Sequence, residues 1–406
     1  MSKLVQTRRQ GALPPAIFAR QRTGLKAADH PPGYLRRQWG SCSEELATMG
    51  AEGESLLFNL YKEENLSEKG ISCIATKDIK KGSLLLREFP QLLISDQMIE
   101  YDYNNLHKNV IGSFLNMSEE DQERYMELYN MYNEDSENWS DGIKEILNEA
   151  LLATNGMVFS NISKEKALKV WGIYKTNAFT NGVFLKMSRF NHSCHPNAAM
   201  SCRVSNTQDV RSLRKIAAGE EITICYTDQG NESLWSRDER RAELKSLYNF
   251  DCKCEGCDMT AEQILQENEN IAAFKHESAS QRERRHLFMK MPENQQNELR
   301  FNFIKDELER AKQMYKLAKK VKPIHRGWIL NKIVNQGFNG SCWCVVGEFN
   351  QGDDQEEAWK QEARWFAKVG LKIARTLYGQ DFRQTLMWEE RYADPIKFFL
   401  KYTDLK

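Results

Sequence analysis

The sequence predicts an α+β fold in which small β-sheets are followed by a C-terminal α-helical domain. Short apolar runs broken by turn residues occupy residues 56–95 and return at 183–226, as expected for short strands. Between them, and again over 261–406, apolar residues recur at three- and four-residue spacing, which predicts amphipathic helices. The first helical stretch, about 96–175, therefore interrupts a strand-rich domain predicted at 56–230.

The composition is that of an ordinary globular chain of 406 residues, 41% hydrophobic and 28% charged. Its 57 lysines and arginines balance 57 aspartates and glutamates, so nothing in the net charge points to direct binding of nucleic acid. The sequence lacks the long apolar run that a membrane span requires. No secretory signal is expected either, so the ten cysteines are expected to be reduced thiols or metal ligands.

Residues 1–55 are predicted to form a basic, disordered N-terminal arm. The first 40 residues contain eight lysines and arginines but a single acid, Asp29, and Pro14, Pro15, Pro31 and Pro32 would interrupt any helix. Such an arm is also compatible with targeting to the nucleus or the mitochondrion. The expected location is the nucleus or the cytoplasm, with mitochondrial targeting left open.

A metal site is indicated by the run Cys252-Lys253-Cys254-Glu255-Gly256-Cys257. Zinc prefers four tetrahedral ligands, and this run supplies three thiolates. The fourth must come from elsewhere in the chain, with Cys194, Cys202, Cys225, Cys342, Cys344 and the histidines as candidates. The alternative is a loop of three free thiols, which would be prone to oxidation.

Two further clusters contain residues typical of functional sites. The first runs from Arg189 to Asn197 and includes Asn191-His192-Ser193-Cys194, and the second runs from Gly219 to Tyr226. Taken singly, the first is explained by structural hydrogen bonding and the second by a strand that ends in a packed tyrosine.

The order of these clusters resembles the SET-domain family of protein lysine methyltransferases, closest to its SET-and-MYND branch and fungal-type relatives. Matching segments also occur at Lys69–Thr76, Asp78–Gly82 and Lys175–Phe179. The branch's MYND zinc module has no counterpart, because residues 96–170 contain no cysteine. The resemblance implies small curved β-sheets, a knot-like segment near Asn191–Cys194 and a post-SET zinc segment at 231–260. One departure is Ser72, which stands where the family usually has a glycine.

The resemblance further implies an S-adenosylmethionine-dependent protein lysine N-methyltransferase. Tyr226 and Tyr248 would be its catalytic residues. Zinc would be bound by Cys194, Cys252, Cys254 and Cys257. Cofactor-binding residues would be Lys69, Gly70, Ile71, Asn177, Asn191, His192, Tyr226 and Phe250.

The implied partner is a protein substrate, either a histone tail or another lysine-containing protein, so a role in chromatin regulation is expected. The chain itself is expected to be a monomer. A catalytically weak SET-fold scaffold that binds zinc is the alternative, and Ser72 favours it slightly. A zinc hydrolase that uses His192 or His195 is disfavoured, because no glutamate lies in a His-x-x-x-His context.

Overall fold

The computed structural model describes residues 56–57, 59–66, 69–94, 106–131, 162–179, 182–202, 207–227, 235–320, 326–346 and 353–402. The predicted N-terminal arm and a predicted helix at Lys144–Leu152 lie outside these residues. None of the helices in the described ranges is long and apolar enough to cross a bilayer.

The strands of the described residues are short. They are β1 (Leu56–Leu57), β2 (Tyr61–Leu66), β3 (Gly70–Ala75), β4 (Leu84–Glu88), β5 (Leu92–Leu93), β6 (Ala178–Phe179), β7 (Gly182–Val183), β8 (Asn191–His192), β9 (Ala198–Cys202), β10 (Gln208–Ser212) and β11 (Glu221–Ile224).

The helices fall into three groups along the chain. The insertion between β5 and β6 contains α1 (Leu106–Leu115), α2 (Glu119–Met126) and α3 (Lys164–Asn177), a 3₁₀ turn spans Met187–Arg189, and α4 (Arg237–Tyr248) follows β11. The C-terminal group is α5 (Ala261–Lys290), α6 (Glu293–Lys320), α7 (Arg326–Val346), α8 (Asp353–Leu377), α9 (Arg383–Ala393) and α10 (Pro395–Tyr402).

The strands form three small sheets, with orders β1-β4-β10-β9, β2-β3-β11-β8 and β5-β7-β6. Most neighbours are antiparallel, but β8 runs parallel to β11 and sets Asn191 opposite Thr223 and His192 opposite Ile224. The buried core between the sheets includes Leu85, Phe184 and Ile222. The second sheet matters for function, because it brings three of the sequence clusters side by side.

The helical group is held mainly by apolar packing. Phe338, Phe366 and Trp388 lie in one buried cluster that extends from α6 to α10. Gly337 permits this packing, because a Cβ at that position would overlap the Phe366 ring. The apolar residues at three- and four-residue spacing on α6 and α8 are therefore largely core, as expected, whereas Trp365 is 44% exposed.

A buried ion pair stabilises the sheet that faces α8. Arg87 donates from Nε and Nη2 to the two carboxylate oxygens of Asp209, at 2.7 and 2.9 Å. Asp209 is fully buried, and Arg211 approaches it at 3.5 Å. The Arg87–Asp209 pair does not follow from local sequence pattern, because β4 and β10 are more than 100 positions apart in the chain.

The predicted α+β class is confirmed, and the described part of the insertion is helical. Ser118 caps α2 as expected, since its side chain accepts a hydrogen bond from the Asp121 N–H. A strand predicted at Val183–Leu185 is shorter than expected and comprises Gly182–Val183 only, because the chain then turns into the 3₁₀ segment.

Candidate active site

Tyr226 lies two residues beyond the end of β11, where β8 and the tail after α4 also arrive. Its hydroxyl donates to the Phe190 carbonyl at 2.8 Å, and its backbone N–H donates to His192 Nδ1 at 3.0 Å. Burial, reinforced by the neighbouring Tyr248, raises the pKa of the Tyr226 phenol well above its usual value. The phenol therefore keeps its proton at neutral pH and can act as a hydrogen-bond donor.

Aromatic rings surround this phenol. The Tyr248 ring centre lies 5.1 Å from that of Tyr226, and the Phe179 ring centre lies 6.4 Å from it. Phe250 lies 6.0 Å from the His192 ring. The turn that places Phe250 there occurs at Asn249, which adopts the left-handed conformation with φ 53° and ends α4. The predicted residues Tyr226, Tyr248, His192 and Phe250 thus form one continuous cluster.

Four thiols converge beside this cluster. The Sγ atoms of Cys194, Cys252, Cys254 and Cys257 all lie within 4.8 Å of one another. Cys194 Sγ lies 3.5 Å from that of Cys257 and 4.0 Å from that of Cys252. Four sulfurs at zinc-ligand distance from one ion would be separated by about 3.8 Å. The set chosen from the resemblance therefore fits a tetrahedral zinc ion in both number and spacing.

Hydrogen bonds within the cluster favour the thiolate form of Cys252 and Cys254, whereas the pKa values of Cys194 and Cys257 are raised. The Cys194 thiol lowers the pKa of Cys252, and it is also the first cause of the lowered pKa of Cys254, about 6. The backbone N–H of Cys194 donates to Cys254 Sγ at 3.1 Å. Deprotonated sulfur is the form that binds a metal ion, so Cys252 and Cys254 are the two sulfurs best prepared to bind one.

The conformation of the cysteine loop depends on the close contact between Gly256 and Cys194 and on hydrogen bonds from two arginines. A Cβ at Gly256 would lie 3.2 Å from the Cys194 Cβ, so a larger residue would force the chains apart. Arg240 donates to the Gly256 carbonyl at 2.7 Å, and Arg237 donates to the Cys257 carbonyl at 2.6 Å. Buried Arg240 is neutralised by Glu267 of α5, with N–O distances of 3.3 Å.

His192 connects the thiols to Tyr226. Its Nδ1 accepts the Tyr226 N–H, so that nitrogen carries no proton and the neutral ring has its proton on Nε2. Nε2 lies 3.3 Å from Cys194 Sγ and can donate to it. An N–H donor to a metal-bound thiolate fixes the ligand's orientation, so the histidine ties Tyr226 to the cysteine cluster.

A polar network connects β3, β8 and β11. Asn191 Nδ2 donates to Ser72 Oγ at 2.7 Å and to Glu221 Oε1 at 3.0 Å. Lys69 forms an ion pair with the other oxygen of Glu221 at 2.6 Å. Ser72 is fully buried, so its side chain faces this network rather than the open side of β3. The serine that replaces the expected glycine is therefore accommodated within the sheet.

The remaining predicted residues have different surroundings. Gly70 is exposed with φ 71°, and Ile71 next to it is 37% exposed, so this edge of β3 is open. Asn177, at the end of α3, donates through Nδ2 to the carbonyls of Tyr129 and Ile173 at 2.7 and 2.8 Å. Its amide nitrogen is thus occupied within the insertion.

Sequence reasoning assigned no role to Glu221, Arg240 or Glu267. Glu221 could have been noticed as an acid within an apolar strand segment. Arg240 and Glu267 carry no such signal, because charged residues on helices are usually solvated and their pairing depends on how α4 and α5 pack.

Comparison with known proteins agrees with this geometry. A family profile described as "SET domain" matches residues 70–227. The histone-lysine N-methyltransferase SMYD3 of Mus musculus is 41% identical over 76 residues, which cover 19% of this chain and 17% of that protein. A SET domain-containing protein of Acanthamoeba polyphaga mimivirus is 27% identical over 232 residues, covering 53% of this chain and 86% of the relative. The chain thus spans about a sixth of the length of the mouse protein.

Among solved structures, a Rubisco LSMT bound to AdoMet is 14% identical, with 86% of this chain and 90% of that chain covered and a TM-score of 0.35.

Proposed function

Because residues 70–227 match a SET-domain profile, we propose that this protein transfers a methyl group from S-adenosylmethionine to a lysine side chain of a protein. The observation that carries the proposal is the meeting of the partly buried Tyr226 phenol, the Tyr248 and Phe250 rings and the four-thiol cluster at one place. S-adenosylmethionine would supply the electrophilic methyl group.

The open edge of β3 and the adjoining polar network suit the amino-acid part of that donor. Gly70 and Ile71 offer exposed backbone, and Asn191 is held next to them by its hydrogen bond to the Ile71 carbonyl at 3.3 Å. The Asn191 Oδ1 accepts no hydrogen bond within the described residues and could receive one from an ammonium group. Lys69 could attract a carboxylate, since it is 55% exposed although paired with Glu221. Phe250 would pack against the adenine ring.

The aromatic cluster would prepare the lysine for reaction. A free lysine has a pKa near 10.4, so it is mostly protonated and not nucleophilic at neutral pH. An apolar channel disfavours the charged form and lowers that pKa. Phe179, Tyr226 and Tyr248 would provide such walls and exclude water. The protonated Tyr226 hydroxyl would orient the reacting groups, since an in-line displacement requires alignment more than acid–base chemistry.

We further propose that Cys194, Cys252, Cys254 and Cys257 bind zinc. The ion would join the segment after β8 to the tail that holds Tyr248 and Phe250. Its role is structural, because four thiolates leave no position for substrate. Histone tails are one candidate substrate class, as the names of several relatives suggest, and another lysine-containing protein is the other; the nucleus or the cytoplasm would be the matching location.

The decisive test is incubation of the protein with labelled S-adenosylmethionine and a cell extract. Wild-type protein should label a protein band, and Tyr226→Phe should reduce the rate by about 10²–10³-fold, as for loss of a preorganised donor. Tyr125→Phe is a matched control, because the Tyr125 phenol also donates to a carbonyl, Val170 O at 3.0 Å, but lies in α2.

Two results would contradict the proposal. If Tyr226→Phe labelled as fast as the control, the role of the phenol would be wrong. If wild-type protein neither labelled any protein nor bound S-adenosylmethionine, the scaffold alternative would replace the enzyme. Ser72 no longer favours that alternative, because its buried side chain does not face the open edge of β3.

A further inference from the structure

A large cleft lies away from the candidate active site and shares no residue with it. It has a volume of about 960 Å³ and lies where the turn at Lys81 and Gly82 meets the C-terminal half of α8. Its wall is fixed by Arg211, which contacts the Gly82 carbonyl at 3.4 Å and the carboxylates of Asp209 and Asp381 at 3.5 and 3.7 Å. The cleft is therefore a built feature of the junction between the sheets and the helices.

The cleft is strongly basic. Five cations line it, Lys81, Arg211, Lys368, Lys372 and Arg375, against one carboxylate, Asp381. Arg211 is paired as described, and Arg375 pairs with Glu389 at 2.8 Å. Lys81, Lys368 and Lys372 are exposed and have no ion-pair partner in the described part of the chain.

The spacing of the cations along α8 is not explained by helix stability. Arg364, Lys368 and Lys372 follow one another at four-residue intervals, and like charges at this spacing destabilise a helix by about 0.2–0.5 kcal/mol per pair. The helix dipole favours cations in the last turn and so accounts for Arg375 only. A row of unpaired cations on one helix face is expected where an anionic partner binds.

An aromatic surface continues this row. A smaller cleft of about 480 Å³ shares Lys368 and Tyr392 with the basic cleft and adds Arg364 and Trp365. Trp365 is 44% exposed and Tyr392 42%, whereas Trp359 and Trp388 of the same helical group are buried. Exposed tryptophan, tyrosine and arginine side chains are the residue types that dominate binding energy at protein interfaces.

We propose that these two clefts dock an acidic segment of the protein substrate, with an aromatic or large apolar side chain of that segment against Trp365. This inference rests on the proposed function for the identity of the partner. A peptide fits better than a nucleic acid, because Asp381 and Glu389 next to the cations would repel a continuous phosphate backbone, whereas a peptide can space its carboxylates around them. The two adjoining clefts also form a longer surface than a single small anion would need.

The test is direct binding to the full chain, measured by fluorescence anisotropy of a short fluorescein-labelled peptide that repeats Glu-Glu-Phe. We expect salt-sensitive binding that weakens by about tenfold or more in Lys368→Glu/Lys372→Glu. Lys316→Glu/Lys320→Glu is the matched control, because it reverses two exposed lysines at the same spacing on α6 and should change binding by no more than about twofold. Trp365→Ala should weaken binding of the Glu-Glu-Phe peptide more than binding of a Glu-Glu-Ser peptide.

The proposal is overturned if the acidic peptide fails to bind, if both double variants bind it equally, or if an oligouridine RNA binds the clefts more tightly. The assay contains no methyl donor, so its failure leaves the proposed activity untouched. Conversely, peptide binding by a protein that never transfers methyl groups would remove the enzymatic proposal and keep the docking surface. With a substrate identified by labelling, the Lys368→Glu/Lys372→Glu variant should raise KM and leave kcat unchanged.

Discussion

The strand-rich half and the helical half of this chain are stabilised in different ways. In the candidate active site, strands of two to six residues are joined by side-chain hydrogen bonds such as those of Asn191 and Asn197, and by four clustered thiols. In the C-terminal half, helices of up to 30 residues pack through buried aromatic rings. The comparison teaches that the reactive half depends on a few polar and metal-binding groups, so substitutions of those groups should have the largest effects there, whereas loss of apolar packing should dominate in the helical half.

The largest effect is expected from removing one of the four thiols. Cys252→Ser should abolish zinc retention and reduce methyl transfer by about a hundredfold or more, because three ligands no longer fix the tail that carries Tyr248 and Phe250. Elemental analysis of the purified protein checks the first effect and the labelling assay checks the second.

Cys202→Ser is the control for this prediction, since Cys202 is an exposed cysteine of β9 outside the cluster. Full activity of the Cys252→Ser protein without metal would show that the strand-rich half does not depend on a bound metal ion.

The helical half should respond to loss of packing instead. Phe366→Ala should lower the free energy of unfolding by about 3–5 kcal/mol, as for other buried phenylalanines. Its ring is fully buried and fills the space above Gly337. Urea unfolding measures the effect, and Leu386→Ala on the exposed face of α9 should change stability by less than about 0.5 kcal/mol.

The rate of methyl transfer should distinguish Phe366→Ala from Cys252→Ser. Without urea, at a temperature where Phe366→Ala remains folded, its rate of methyl transfer should stay within about threefold of wild type, because the buried cluster around that ring contains none of the described site residues. A rate loss as large as that of Cys252→Ser would mean that the helical core also sets the geometry of the site.

Some of these features could be predicted from the sequence and others could not. The thiol cluster was predictable, because the spacing of Cys252, Cys254 and Cys257 is itself a metal signature, and the resemblance supplied Cys194. The helical stripes were predictable from periodicity. The Arg240–Glu267 pair, the burial of Ser72 and the exposure of Trp365 were not, because each depends on how distant segments pack. Periodicity reports which face of a helix is apolar but not whether a neighbouring helix covers all of it.

An intermediate effect is expected from a polar clamp in the strand-rich half. Asn197 is 1% exposed; its Nδ2 donates to the Glu221 carbonyl at 2.8 Å, and its Oδ1 accepts the Thr223 N–H at 2.9 Å. Asn197→Ala leaves these buried groups of β11 unsatisfied and should lower stability by about 2–3 kcal/mol.

Thermal unfolding followed by circular dichroism measures this loss. Asn297→Ala is the control, because Asn297 accepts a hydrogen bond from Arg300 on the exposed surface of α6. Equal shifts of the unfolding temperature in the two variants would show that the clamp adds nothing to the strand pairing.

The smallest effect concerns pH and lies at the edge of the same region. Burial raises the pKa of Glu220, but Arg214, the Ala217 N–H and Asn197 outweigh it, so the pKa lies below the usual 4.5. A depressed pKa stabilises the fold above pH 4.5, and this contribution is lost as the pH falls through that value and below.

The urea midpoint of wild-type protein should therefore fall more between about pH 6 and pH 3.5 than that of Glu220→Gln. Because the carboxylate is partly exposed, the difference should be small, and Glu298→Gln on the surface of α6 should behave like wild type. If Glu220→Gln showed the full wild-type pH dependence, the ion pair with Arg214 would not contribute to folding.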